Sequence, residues 1–221
     1  MPVPFLIWQL ADSAFPSGGF THSGGLEAAV RHGDVASATD VGRVARGTIR
    51  QAGWGGLPFV RAAHRDWREL PALDALSDLF LNQPVSHRAS RLQGLAFVST
   101  SLRVFSEARL QPIADCIRVQ GLAGHYAPIF GAVTAALGID VETSSRLFLF
   151  QSGRSVIAAG IKIGIIGMFD GQRLQAELTP EIESTIDCCR DLATSEVAQT
   201  SPILDLYQST HDRLYSRLFQ S

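Results

Sequence analysis

Lysine is almost missing from this sequence. Lys162 is the only one among nineteen basic side chains, and the other eighteen are arginines. Cysteine is scarce as well: Cys116, Cys188 and Cys189 are an odd set with two members adjacent, which excludes a disulfide framework. Small core residues in a reducing cytoplasm are the expectation for them. Long hydrophobic runs are lacking. The longest, 156–169, is too short to span a bilayer and contains Lys162, so no membrane partner is expected. No basic stretch followed by an apolar one opens the chain, so no secretory leader is expected. There is no basic excess either. A formal net charge of −2 argues against duplex nucleic acid, whose phosphates call for a clear positive surplus.

What is present suits a folded body. The 221 residues are 46% hydrophobic and 18% charged, enough for a sizeable core in one domain over 1–221. The arginine preference admits two readings. A forked guanidinium suits carboxylates at interfaces, and a GC-rich genome gives the same bias.

Periodicity and punctuation predict helices nearly throughout. Ser23 to Val30 reads as a helix start with Gly33 as its stop. Thr39 is a candidate cap for a helix running toward Ala52. Gly53-Trp54-Gly55-Gly56 predicts an interruption, after which Leu57 to Trp67 resumes. Pro71 and Pro84 fit first helical turns. The helix opened by Pro84 carries a stripe of Val85, Ala89, Leu92, Ala96, Ser99 and Leu102, read as its packing face. Pro112 to Gln120 reads as a short helix, and Gly124 to Leu137 as another that Gly138 ends. The stretch from Glu142 to Met168 is rich in β-branched residues in its second half. It reads as a central helix, apolar on all sides and buried, with Gly160 and Gly164 one above the other. Thr179-Pro180-Glu181 starts a further helix. After Pro202, Leu204, Tyr207, His211, Leu214, Tyr215 and Leu218 mark one helical face, and 202–221 reads as a partner-docking segment. The expected fold is an all-α, single-domain bundle or array of about eight to ten helices.

Catalytic signals are weak. The loop holding Ser17-Gly18-Gly19 and Gly24-Gly25 lacks the Gly-Lys-Ser/Thr ending of a phosphate loop. Ser23 is not in a nucleophile elbow, because Thr21 stands where the first glycine belongs. No two of the six histidines are four apart and there is no Cys-x-x-Cys, so no metal ligands are predicted. A small hydrolase working on a phosphate or acyl group through the Gly-rich loop, with Ser17 and His22, is the alternative class. Lys162, among isoleucines, either snorkels to water or meets a functional partner; both stand open.

Longer strings carry a resemblance. Pro16-x-Gly18-x-Phe20-x-x-Ser23-x-Gly25-Leu26-Glu27 resembles the N-terminal signature of the UreF family. Asn82 with Arg88-Ala89-Ser90, His125-x-x-Pro128-x-Phe130-Gly131, and the ending from Ser201-Pro202 through His211 to Ser216-Arg217-Leu218-Phe219 are similar to later family elements, in the same order. The apolar Gly164-Ile165-Ile166-Gly167 departs from the more polar segment the family often has there.

The resemblance implies an all-α, dimerising urease accessory protein without a catalytic step or stably bound cofactor. It implies partners UreD (also called UreH), the GTPase UreG and apo-urease, with nickel handled by the complex and a modulating role in GTP hydrolysis. Phe20, His22, Ser23, Glu27 and Lys162 are the candidate contacts for the GTPase. Glu27 alternatively serves only the dipole of its own helix. Tyr207, Leu214, Tyr215, Arg217, Leu218 and Phe219 are the candidates for the UreD-like partner, unless that segment packs on its own bundle.

Overall fold

Capping chemistry sets several of the helix ends. Ser37 accepts a hydrogen bond from the Asp40 amide, and Asp140 one from the Thr143 amide, each satisfying a donor that its helix leaves free. Gln83 does the same for the Ser86 amide, just ahead of Pro84. Gly33 and Gly164 stop their helices in the left-handed conformation, at φ 84° and 87°. The structure, a computed structural model, describes residues 3–17 and 22–219.

Among the described residues there are eleven α-helices and no strand. They are α1 (Val3–Ala11), α2 (Leu26–His32), α3 (Ala38–Arg65), α4 (Leu70–Phe80), α5 (Pro84–Val104), α6 (Leu110–Gln120), α7 (Tyr126–Ala136), α8 (Val141–Ile163), α9 (Met168–Glu177), α10 (Thr179–Cys189) and α11 (Pro202–His211). The all-α expectation holds. No described helix is long and apolar enough to cross a membrane.

The longest helix, α3, is the axis of the array, with α7, α8 and α10 packed along it. Its glycines do not interrupt it, contrary to the sequence reading. They are where neighbours come close. A Cβ at Gly53 would collide with Thr185 of α10, and one at Gly56 would stand 2.8 Å from the Phe148 ring of α8. From the other side, a Cβ at Gly131 of α7 would run into the Val60 carbonyl. Pro58 also sits inside α3, where it has no amide to offer the carbonyl of Trp54. That carbonyl accepts from the Ala198 amide instead, at 3.2 Å.

Above this axis lies an aromatic core. Phe97, Tyr126, Phe130 and Phe148 have ring centroids 5.3–5.8 Å apart. Phe97 and Phe130 are fully buried.

Three further expectations are corrected. The inward face of α5 is Val85, Gly94, Phe97, Val98 and Ser101, whereas Leu92 is half exposed. A bulky ring at Phe97 and backbone contact at Gly94, against Gly124, decide the rotation more than the stripe of small residues. The central helix stops at Gly164 and α9 begins only at Met168, so Lys162 emerges on the surface at the last turn of α8. The C-terminal helix ends at His211, and Leu214, Tyr215 and Leu218 lie beyond it in irregular chain and bends rather than on a helical face.

Candidate functional site

Gly24 and Gly25 have φ 60° and 90°, a left-handed pair that turns the chain into α2. Gly25 must also stay bare, because a Cβ there would stand 3.0 Å from the Cβ of Tyr207 on α11. The turn and this close approach drive the second residue of α2, Glu27, into the protein, where it is 1% exposed.

A carboxylate so placed loses its water and must be hydrogen-bonded. Its donors come from the far end of the chain. Oε1 accepts from the Leu218 amide at 2.8 Å; Oε2 accepts from the Phe219 amide at 3.3 Å and faces Nε2 of His211 at 3.2 Å. Bonds from N–H groups to an ionised carboxylate are stronger than neutral ones. Glu27 is thus a buried clasp on the tail, 212–219.

Lys162 grips the same tail from α8. Its Nζ donates to the Leu218 carbonyl at 3.2 Å and stands 4.2 Å from the centroid of the Phe219 ring, which is itself buried. Being exposed, this cation–π contact contributes only about 0.5–1 kcal/mol. Asp212 adds a third tie, accepting from Arg88 of α5 and from Arg217 of the tail, both at 3.0 Å. His32 of α2 meets the Thr210 hydroxyl at 3.0 Å.

The structure therefore brings together residues that the sequence reading assigned to two different partners. Glu27 and Lys162 touch Leu218 and Phe219 directly. Ser23 is buried at the turn into α2, where its carbonyl accepts from the Leu26 amide, and its hydroxyl has no hydrogen-bond partner among the described residues. His22 is half-buried, and burial above all, with the charge of Arg88 and then His211, lowers its pKa to about 4. Phe20 lies outside the described residues. Phe219 is turned into the chain's own core, while Tyr215 is fully exposed and Leu218 about half. Ile203 and Leu206 on the outer side of α11 are exposed too, giving the C-terminal segment an apolar outer surface. Tyr207 and Leu214 are half-buried, and Arg217 is exposed.

Sequence reasoning missed the roles of His211, Arg88 and Asp212. In the sequence His211 reads as one position of a helical face and of the C-terminal family element, with no partner assigned. Its contact with Glu27 spans 184 residues, and no local pattern signals a partner at that range. A separate group of polar side chains, Asp78, His87 and His125, gathers where α4, α5 and the start of α7 meet. Hydrogen bonds from the two imidazoles hold the Asp78 carboxyl below its ordinary range.

Fold and site together define an all-α protein whose singled-out polar residues serve as a clasp on its own C-terminal segment. The chain is similar over nearly its whole length to proteins of one kind. The urease accessory protein F of Oryza sativa subsp. indica is 35% identical over 216 residues, covering 96% of this chain and 83% of that protein. Its Arabidopsis thaliana namesake is 36% identical over 218 residues, covering 97% and 91%. The urease accessory protein UreF of Bradyrhizobium sp. (strain ORS 278) is 30% identical over 215 residues, covering 94% and 88%. The UreF family model matches residues 35–179. The chain belongs to the UreF family of urease accessory proteins.

Proposed function

We propose that this chain is a non-catalytic adaptor in urease maturation. In this reading it joins UreD/UreH and the GTPase UreG in a cytoplasmic complex that installs nickel in apo-urease. It works as a homodimer and docks the UreD-like partner through its C-terminal segment. The observation that carries the docking step is the Glu27 clasp. One buried carboxylate sets the path of a tail whose outer side, with Tyr215 and Leu218, faces solvent as aromatic and aliphatic anchors do before association. Glu27 and Lys162 then act on this partner through the tail, and contact with the GTPase falls to the surface around His22.

Co-purification tests it. The wild-type chain should form a stable complex with UreD and UreG by size exclusion with light scattering. Tyr215→Ala should weaken its UreD step. Failure to recover any complex with both cognate proteins would sink the proposal.

A second reading has one observation behind it: Ser17 and His22 line the same cavity of about 300 Å³. A hydrolase built there would turn over a phosphate or acyl ester unaided and lose that turnover with Ser17→Ala or His22→Ala. The adaptor reading expects no turnover from the isolated protein, and none of the GTP binding that calorimetry would reveal.

A further inference from the structure

The group at the junction of α4, α5 and α7 has the make-up of a metal centre. Asp78 stands in the last turn of α4, His87 in the first turn of α5, and His125 just before α7. Nε2 of His87 and Nε2 of His125 both point at Oδ1 of Asp78, at 2.8 and 3.1 Å. All three donor atoms lie within 4.8 Å of one another. An ion held at about 2.0–2.2 Å by each ligand needs donors about 2.8–3.6 Å apart, from octahedral to tetrahedral angles, a range that includes both of these separations. His87, with a quarter of its side chain exposed, has room to close the third.

The surroundings hold these ligands in place. Asp74, one turn before Asp78 and buried, accepts hydrogen bonds from the backbone amides of Ala123, Gly124 and His125 at 2.6, 3.0 and 2.8 Å. This pins the loop that presents His125. The fully buried His125 ring is held from its other side by Ser90, whose Oγ lies 3.2 Å from Nδ1 and also accepts from the Tyr126 amide. A histidine whose second ring nitrogen is so engaged is the usual form of a metal ligand. Asp78 is about half exposed, so one side of the group opens to water.

We propose that Asp78, His87 and His125 form a site for one divalent transition-metal ion of borderline softness, Ni2+ or Zn2+, completed by water. Without the ion, both Nε2 atoms carry hydrogens and donate to the Asp78 carboxylate, which keeps the three groups together. On binding, each Nε2 proton is lost to solvent and each Nδ1 gains one, so the imidazoles stay neutral overall. The new Nδ1–H of His125 is donated to Ser90 Oγ. Two imidazole nitrogens and one carboxylate suit such ions, while Mg2+ and Ca2+ require oxygen ligands throughout. None of the three residues belongs to the tail clasp, so the site stands or falls apart from the docking proposal.

Calorimetry of the tag-free full chain with NiCl2, ZnCl2 and MgCl2, each alone, tests the site. One Ni2+ or Zn2+ should bind per chain, and Mg2+ should not. Asp78→Asn and His87→Ala, both at the surface, should each weaken binding by about tenfold or more while circular dichroism shows unchanged helix. X-ray absorption of the wild-type protein at the metal edge should show two imidazoles and no sulfur in the first shell. No binding, a sulfur ligand, or unaltered affinity in either folded variant would overturn the assignment. The edge spectrum decides alone if neither variant folds.

Discussion

The axis of the array and the tail are held by opposite means. Around α3, helices approach at glycines until backbones touch, and the space between is filled by Phe97, Phe130 and Phe148. The close contacts themselves are apolar, and the ion pairs that tie α3 to α8 and α10, Arg61–Glu142 and Arg50–Glu181, lie at partly exposed positions; tight interiors respond to changes of a single methylene. The tail is held by a handful of contacts, chiefly polar ones centred on the Glu27 carboxylate, with its outer side in water. The first arrangement resists any rearrangement. The second can be undone by removing one group, which suits a segment that meets partners.

Four changes break or sharpen this contrast. The largest effect belongs to the axis: Gly131→Ala drives a methyl into the Val60 carbonyl, which cannot give way without moving α3. A loss of about 3 kcal/mol or more in chemical denaturation is expected, or no folded protein. If the change proves neutral, the close approach of α3 and α7 is wrong.

Glu27→Ala comes next. It strands the Leu218 and Phe219 amides and His211, at about 1–3 kcal/mol for a buried donor left unpaired. The loss should be local. Amide exchange of Leu218 and Phe219 should accelerate while amides of α3 and α7 keep their protection. Uniform acceleration would mean that tail and axis are one unit.

Acid should act on the tail side. His22 takes up a proton at about pH 4 in the folded chain, against 6.5 when unfolded. Between those values the unfolded state binds more protons, so this group makes stability fall as pH drops from 6.5 to 4. Thermal melts across that window should show a declining Tm, and His22→Gln should flatten the decline. An equal slope in the variant would remove His22 from the account.

Lys162→Met should be the mildest, at about 0.5–1 kcal/mol, because its contacts with Leu218 and Phe219 are at the surface. Faster exchange at Leu218 alone is the expected signature. An effect as large as that of Glu27→Ala would show that the ammonium, rather than the carboxylate, holds the tail.

Much of the fold was legible because its signals are local. Pro71, Pro84 and Thr179-Pro180 mark first turns, and Gly33 stops a helix, where the sequence places them. Gly53 to Gly56 misled because a glycine that breaks a helix and one that admits a neighbour look alike until the neighbour is known. The inward face of α5 misled for a related reason: its small residues define only a weak stripe, and the partner at Gly94 settles which side turns in. The break at Gly164 was legible as a stop signal but was read instead as a packing step.

Local signals carried the family, the all-α class and several helix starts, since prolines and apolar spacing act within a few residues. It takes the packed fold to bring Glu27 and Lys162 to Leu218 and Phe219. That packing alone brought Asp78, His87 and His125 to one point. Those groupings join atoms 9 to 192 residues apart, beyond the reach of local patterns, and for Glu27 what selects the partners is burial, which makes a carboxylate seek whatever donors the packed helices bring within reach.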